Sequence, residues 1–159
     1  MNKTPQRSSS HLKLFAVILL VVCLTQVASD VYAPALPEIV RNLHTHASQV
    51  QWTLSLYLLG VALSQLVYGP LSEGIGRKRP LIIGLVIMLL GTLLCTFAPT
   101  IKVLLLGRFI QGAGAGACAA LWRAIFRDVF TGEDLSKYGA YLTTFILFIL
   151  PAAPVVGGY

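Results

Sequence analysis

The chain has 159 residues, of which 56% are hydrophobic and only 11% charged, where an ordinary soluble domain carries about a quarter charged residues. That balance excludes a free globular domain and points to a protein integral to a membrane. The net charge of +6 is gathered on no single face or tail; its cations fall in the gaps between apolar runs, which reads as membrane topology and not as nucleic-acid binding.

Residues 1–11 are polar and serine-rich, the composition of a disordered tail. Lys3, Arg7 and Lys13 ahead of Leu14–Val27 resemble a signal peptide. Further apolar runs follow, so an uncleaved first helix over residues 12–33 is the better assignment, long enough for the ~20 residues a bilayer needs. Pro34 and Pro37 are expected to close it, since each lacks a backbone N–H. Glu38 to Ser48 then forms a polar external link. His44 and His46 within it stand two residues apart with no third ligand near, which argues against a metal site.

A second helix is expected over residues 50–69. Thr53, Tyr57, Gly60, Ser64 and Tyr68 recur at steps of four, three, four and four, one stripe of a helix. Small and polar residues on one face of a spanning helix mark contact with other helices or a water-filled cavity. The connection Gly69-Pro70-Leu71-Ser72-Glu73-Gly74-Ile75-Gly76-Arg77-Lys78-Arg79-Pro80 follows. Its three adjacent cations place it in the cytoplasm, and its glycines are expected to let the backbone turn tightly. The third helix, residues 80–98, is apolar nearly all round and is expected to face lipid. Ala98-Pro99-Thr100 makes an external turn.

The fourth helix is expected over residues 101–122, ending near Trp122. Gly112 and Gly116 form a small-xxx-small pair that permits close helix approach. Arg123 to Lys137 make the next cytoplasmic link, and the fifth helix covers residues 138–159. Lys3, Arg7, Lys13, Arg77, Lys78, Arg79, Arg123, Arg127 and Lys137 then lie on one side, with only Arg41 and Lys102 on the other. This asymmetry sets the amino terminus in the cytoplasm. The expected fold is an all-α, polytopic membrane bundle of about five spanning helices. The chain stops on the apolar Gly157-Gly158-Tyr159, which reads as a fragment of something longer. Cys23, Cys95 and Cys118 all lie in apolar runs and serve as small hydrophobes.

Asp30 and Arg108 are ionisable groups inside spanning segments, costly there and functional candidates by default. Arg108 lies six residues inside Lys102, roughly 9 Å from the outer surface. Asp30 lies seventeen residues beyond Lys13, about 25 Å through a core of ~30 Å. The two therefore sit at similar depth and can pair or compete for one site. No nucleophile–base set, metal cluster or phosphate loop is present, so an enzyme is not expected.

Gly69, Glu73, Gly76, Arg77 and Lys78 together resemble the signature loop between helices two and three of the major facilitator superfamily. That pattern is a glycine, an acid four residues on, then Gly-Arg-Arg/Lys. Glu73 stands for the usual Asp, and Gly74 where a cation is common. Arg108-Phe109-Ile110-Gln111-Gly112, with Gly114 and Gly116, is similar to the fourth-helix motif, whose arginine is implicated in proton transfer. Pro154-Val155-Val156-Gly157-Gly158 resembles the end of the fifth-helix antiporter motif, with Ile149 and Ala153 replacing glycines. Asp30-Val31-Tyr32-Ala33-Pro34-Ala35-Leu36-Pro37, and Arg127-Asp128 after helix four, resemble the bicyclomycin and chloramphenicol resistance branch.

The resemblance implies a proton-driven antiporter for hydrophobic or cationic drugs in the bacterial inner membrane, with twelve helices in two halves. This chain would be five helices of an incomplete six-helix amino-terminal half, working with a missing carboxy-terminal half, and no cofactor is implied. Helices one and four occupy equivalent places in the nested inverted repeats of such folds. Asp30, Arg108, Gln111, Tyr57 and Ser64 are then expected to line the proton and substrate cavity. Gly69, Glu73, Gly76, Arg77, Lys78, Arg127 and Asp128 are expected to form a conformational latch, and Gly112, Gly116, Pro154, Gly157 and Gly158 the packing and antiporter motifs. Uptake of a metabolite by the same fold, or a non-transporting remnant, are the alternatives.

Overall fold

The computed structural model describes residues 15–23, 25, 32–130 and 132–157. Among the described residues the chain is helical apart from short turns. In order the helices are α1 (15–23), α2 (Tyr32–Asn42), α3 (Ala47–Ile75), α4 (Lys78–Thr96), α5 (Ile101–Val129) and α6 (Glu133–Gly157). Three of these, α3, α4 and α5, are long and apolar enough to cross a bilayer by length and composition. The fold is an all-α, polytopic bundle, as expected.

Helix α5 is its axis. It runs beside both α3 and α4, which barely touch each other. Its buried face includes Leu104, Arg108, Gln111, Ala115, Cys118 and Leu121. Close approach is possible because both flanks of α5 are built from small residues. A Cβ on Gly112 would collide with the backbone carbonyl of Tyr57 in α3, and one on Gly60 would collide with the backbone of α5 at Phe109 and Ala113. On the opposite flank Gly114 lies against the backbone of Gly84 and Met88 in α4. The Gly112–Gly116 pair was legible as a packing motif; the second flank, toward α4, was not. Without a hydrophobic drive between helices in lipid, such contact depends on backbones approaching to van der Waals distance.

A separate apolar cluster ties α1 and α6 to the far end of α5. Ile18 and Val22 of α1 pack with Phe126, Phe130 and Leu142, and the rings of Phe15, Phe130 and Tyr138 meet in edge-on and tilted contacts at centroid distances of 4.6 to 6.4 Å.

Several boundaries differ from expectation, and for one reason. Hydropathy marks where lipid ends, not where the backbone ceases to be helical. α3 and α5 each have 29 residues, a rise of about 44 Å against a hydrocarbon core of ~30 Å. α3 therefore continues past Gly69 and through Pro70 to Ile75, and α5 past Trp122 to Val129, so Arg123–Val129 is helix and not link. Likewise α6 begins at Glu133.

Pro34 and Pro37 do not close a helix. Pro37 lies inside α2 and forfeits one backbone bond without breaking it, so the first half of the expected Glu38–Ser48 link is helical. α2 ends where His44 adopts φ 45°. There the Thr45 N–H donates to the Val40 carbonyl at 3.2 Å and the His44 N–H to that of Arg41 at 3.4 Å. This is the paired closure by which a left-handed residue terminates a helix.

The α3–α4 connection corrects the sequence reading too. Gly69 and Gly74 lie within α3, and a Cβ on either would meet nothing within 4 Å. Only Gly76 makes the turn, at φ 83° and ψ 160°, a region open essentially to glycine alone. Gly76→Ala is accordingly expected to lower stability by about 1–3 kcal/mol, read as a drop in melting temperature in detergent.

Candidate functional site

Arg108 stands on the second turn of α5 and is only 4% exposed. Its Nη1 donates to Gln111 Oε1 at 3.0 Å, one turn along the same helix. Gln111 Nε2 in turn donates to Thr92 Oγ1 on α4 at 2.9 Å, and the Thr92 hydroxyl donates to the Met88 carbonyl at 2.8 Å. A guanidinium has donors and no acceptor, so Gln111 must turn its carbonyl oxygen toward Arg108 and its amide nitrogen toward Thr92. The run of bonds therefore has one direction, from the cation on α5 to a backbone carbonyl on α4.

Arg108 and Gln111 open onto a cavity of about 420 Å³ between α2, α4 and α5, at the end of the bundle that holds Pro99. Asn42 and Leu43 from α2 and its turn, and Thr92, Cys95 and Thr96 from α4, form other walls. The Tyr57 ring of α3 lies 5.9 Å from the Arg108 guanidinium carbon, near the limit of a useful cation–π contact. The Tyr57 hydroxyl donates to the Thr25 carbonyl at 3.4 Å. Arg108 is thus held where α3, α4 and α5 converge. Since arginine does not release its proton in proteins, it can fix a local positive potential but cannot itself carry a proton across.

The expected cavity set is only partly brought together. Arg108, Gln111 and Tyr57 meet. Ser64 instead packs where α3 touches Gly116, its hydroxyl donating to the Val61 carbonyl at 3.1 Å. Asp30 lies outside the described residues. Sequence reading missed Thr92, Cys95 and Thr96, because α4 looked uniformly apolar and was assigned to lipid. Its outward face, with Ile82, Val86, Leu89 and Leu93, is indeed exposed, but Pro80, Gly84, Met88 and Gly91 form a buried stripe. The glycines at seven-residue spacing were the available signal.

At the opposite end, Arg77 Nε and Asp128 Oδ2 are 3.1 Å apart, joining the start of α4 to the last turn of α5. Arg77 Nη1 also donates at 2.6 Å to the buried Ser72 hydroxyl, which donates to the Gly69 carbonyl at 2.8 Å. Of the expected latch, Arg77 and Asp128 meet. Glu73, Lys78 and Arg127 are exposed, and Glu73 enters no ion pair among the described residues. Ser72 was not foreseen. Pro154 and Gly157 fall in α6, and Gly158 lies outside the described residues.

Comparison with known proteins agrees with this architecture. Residues 18–159 match the profile of the Major Facilitator Superfamily. The chain is 42% identical over 129 residues to an uncharacterized MFS-type transporter, YdgK, of Bacillus subtilis (strain 168), covering 81% of this chain and 32% of that protein. It is 31% identical over 148 residues to multidrug resistance protein D of Escherichia coli (strain K12), covering 93% of this chain and 38% of that one. A bicyclomycin resistance protein homolog of Haemophilus influenzae is 33% identical over 130 residues, covering 82% and 33%. The chain spans about a third of the length of these relatives.

Proposed function

This chain belongs to the Major Facilitator Superfamily, a family of transporters, and we propose that its helices serve a whole transporter that expels drugs across a bacterial inner membrane in exchange for protons. The observation that carries the proposal is Arg108, a cation 4% exposed and hydrogen-bonded in place at the wall of a cavity. A cation so buried is costly, and such a group inside a spanning helix is by default a functional candidate. Because Arg108 holds its proton permanently, the exchangeable proton falls to a carboxyl group. Among the chain's six acids, Asp30 alone lies within an apolar run expected to span. In this scheme Asp30 holds a proton or faces a cation, whether Arg108 or a drug, but not both. That exclusion is what couples the two flows. The resistance proteins among the relatives support a drug as the other cargo.

Transport in proteoliposomes tests the proposal, with these helices in the full-length transporter and an imposed proton gradient. Hydrophobic and cationic drugs are expected to move against the proton flow. Accumulation of a sugar or amino acid with the gradient, and no drug movement, would replace efflux by metabolite uptake.

We assign Arg77, Asp128 and Ser72 to a latch at the cytoplasmic side, with the cytoplasmic placement drawn from the charge asymmetry of the loops. The Arg77–Asp128 pair is 32% and 56% exposed, so its contribution to stability is no more than about 1 kcal/mol. Asp128→Asn is therefore expected to leave the melting temperature nearly unchanged. The same variant should shift the ratio of inward- to outward-facing states, read from paired distance probes. An unchanged ratio would remove the latch.

A further inference from the structure

We infer that Thr92 is a positioning residue for Arg108, acting through Gln111. A primary amide on a freely rotating side chain presents oxygen or nitrogen with nearly equal ease. Gln111 serves Arg108 only while its oxygen points at the guanidinium, and its nitrogen then needs an acceptor. Thr92 Oγ1 supplies one at 2.9 Å and is itself fixed, because its own proton goes to the Met88 carbonyl. A hydroxyl can accept and donate at once, which neither valine nor alanine can do at this position.

Backbone packing makes the contact possible. Gly91, the residue before Thr92, lies directly against the backbone of Gln111, where a Cβ would collide. α4 is thereby brought close enough for a side chain as short as threonine to reach the amide. Thr92, Cys95 and Thr96 follow one another at helical spacing along the same cavity wall. The helix assigned to lipid by its composition thus supplies the partner that orients the cation. The inference rests on the proposal that Arg108 is the coupling cation, and it extends that role to α4.

Cys95 provides the test. It is half-buried and lines the same cavity as Arg108, whereas Cys118 is buried. In the full chain reconstituted in lipid, Cys95 would be modified with an anionic and a cationic methanethiosulfonate of similar size, and the adduct located by mass spectrometry. The ratio of the two rates reports the potential set by Arg108. Arg108→Gln defines the ratio without the guanidinium. Thr92→Val is expected to move the wild-type ratio most of the way to that value, about fivefold for one displaced charge near the thiol. Thr92→Ser, which keeps the hydroxyl, is expected to retain the wild-type ratio. A wild-type ratio in Thr92→Val, or an equal loss in the valine and serine variants, overturns the inference. The measurement needs no transport, so its failure leaves drug efflux standing, while failure of efflux in proteoliposomes leaves this ratio unaffected.

Discussion

Replacing Gly112 with valine is expected to be the most damaging single substitution in the described helices. The new side chain would enter the space held by the Tyr57 carbonyl. That atom belongs to the α3 backbone and cannot rotate aside, so the helices must separate. Overpacking with flexible neighbours costs about 1–3 kcal/mol, and a clash with fixed backbone should lie at or beyond the upper end, about 3 kcal/mol or more. Separation would also carry Tyr57 away from Arg108 and from the Thr25 carbonyl, so the site would loosen with the fold. Thermal unfolding in detergent checks this, with Gly69→Ala as the companion variant. Gly69 lies in the same helix as Tyr57, but its added Cβ meets nothing. Removing a helical glycine there should stabilise by about 0.5–1 kcal/mol. Equal melting of the two variants would mean that the α3–α5 contact is not what holds the bundle together.

The second large effect concerns transport. Arg108→Gln should sharply reduce drug exchange while the protein still inserts, because the planar side chain fits but the charge is gone. Losing a hydrogen bond to a charged group is worth about 1.5–3 kcal/mol, which is roughly ten- to a hundredfold in a rate or affinity. Arg108→Lys is the sharper variant. An ammonium keeps the charge yet is a point donor on a flexible stem and lacks the guanidinium's flat fork. If Gln111 and Thr92 matter because they hold the fork in one plane, lysine will fail nearly as completely as glutamine. Should lysine support exchange at the wild-type rate, the site needs only a positive charge, and the ordered bonds around it are incidental.

How much of this could be read from residues alone depends on what each signal measures. The stripe Thr53-Tyr57-Gly60-Ser64-Tyr68 and the pair Gly112–Gly116 marked two helix faces for close contact, because small residues at helical spacing report close packing, but that these two faces meet each other came only from the structure. Arg108 was legible for a related reason, since an ionisable group inside an apolar run is anomalous wherever it occurs, whereas Gln111 was reached only through the resemblance of the fourth-helix motif. Thr92 was invisible because one hydroxyl on an apolar helix is commonplace, satisfied by its own backbone carbonyl. Its importance comes only from Gly91 bringing α4 against Gln111, a fact of tertiary packing. Glu73 shows the opposite failure. Its place in the signature loop made it a latch candidate, yet the extra turns of α3 leave it exposed while Ser72, one residue earlier, faces Arg77. Helix ends were misjudged at Gly69 and Trp122, where hydropathy was taken for backbone geometry, and at Pro37, where a missing N–H was taken for a helix stop.

The proposed exchange of protons against drug can be tested without a gradient. Purified full-length transporter carrying these helices, in weakly buffered detergent solution, would be mixed with a cationic drug while the pH is followed. Competition between proton and drug for the Asp30 carboxyl requires that drug binding release protons into solution. The wild type should therefore acidify the medium in proportion to the drug bound, and Asp30→Asn should bind without acidifying it. Undiminished proton release from Asp30→Asn, or binding by the wild type with no release at all, would contradict the coupling on which the whole account stands.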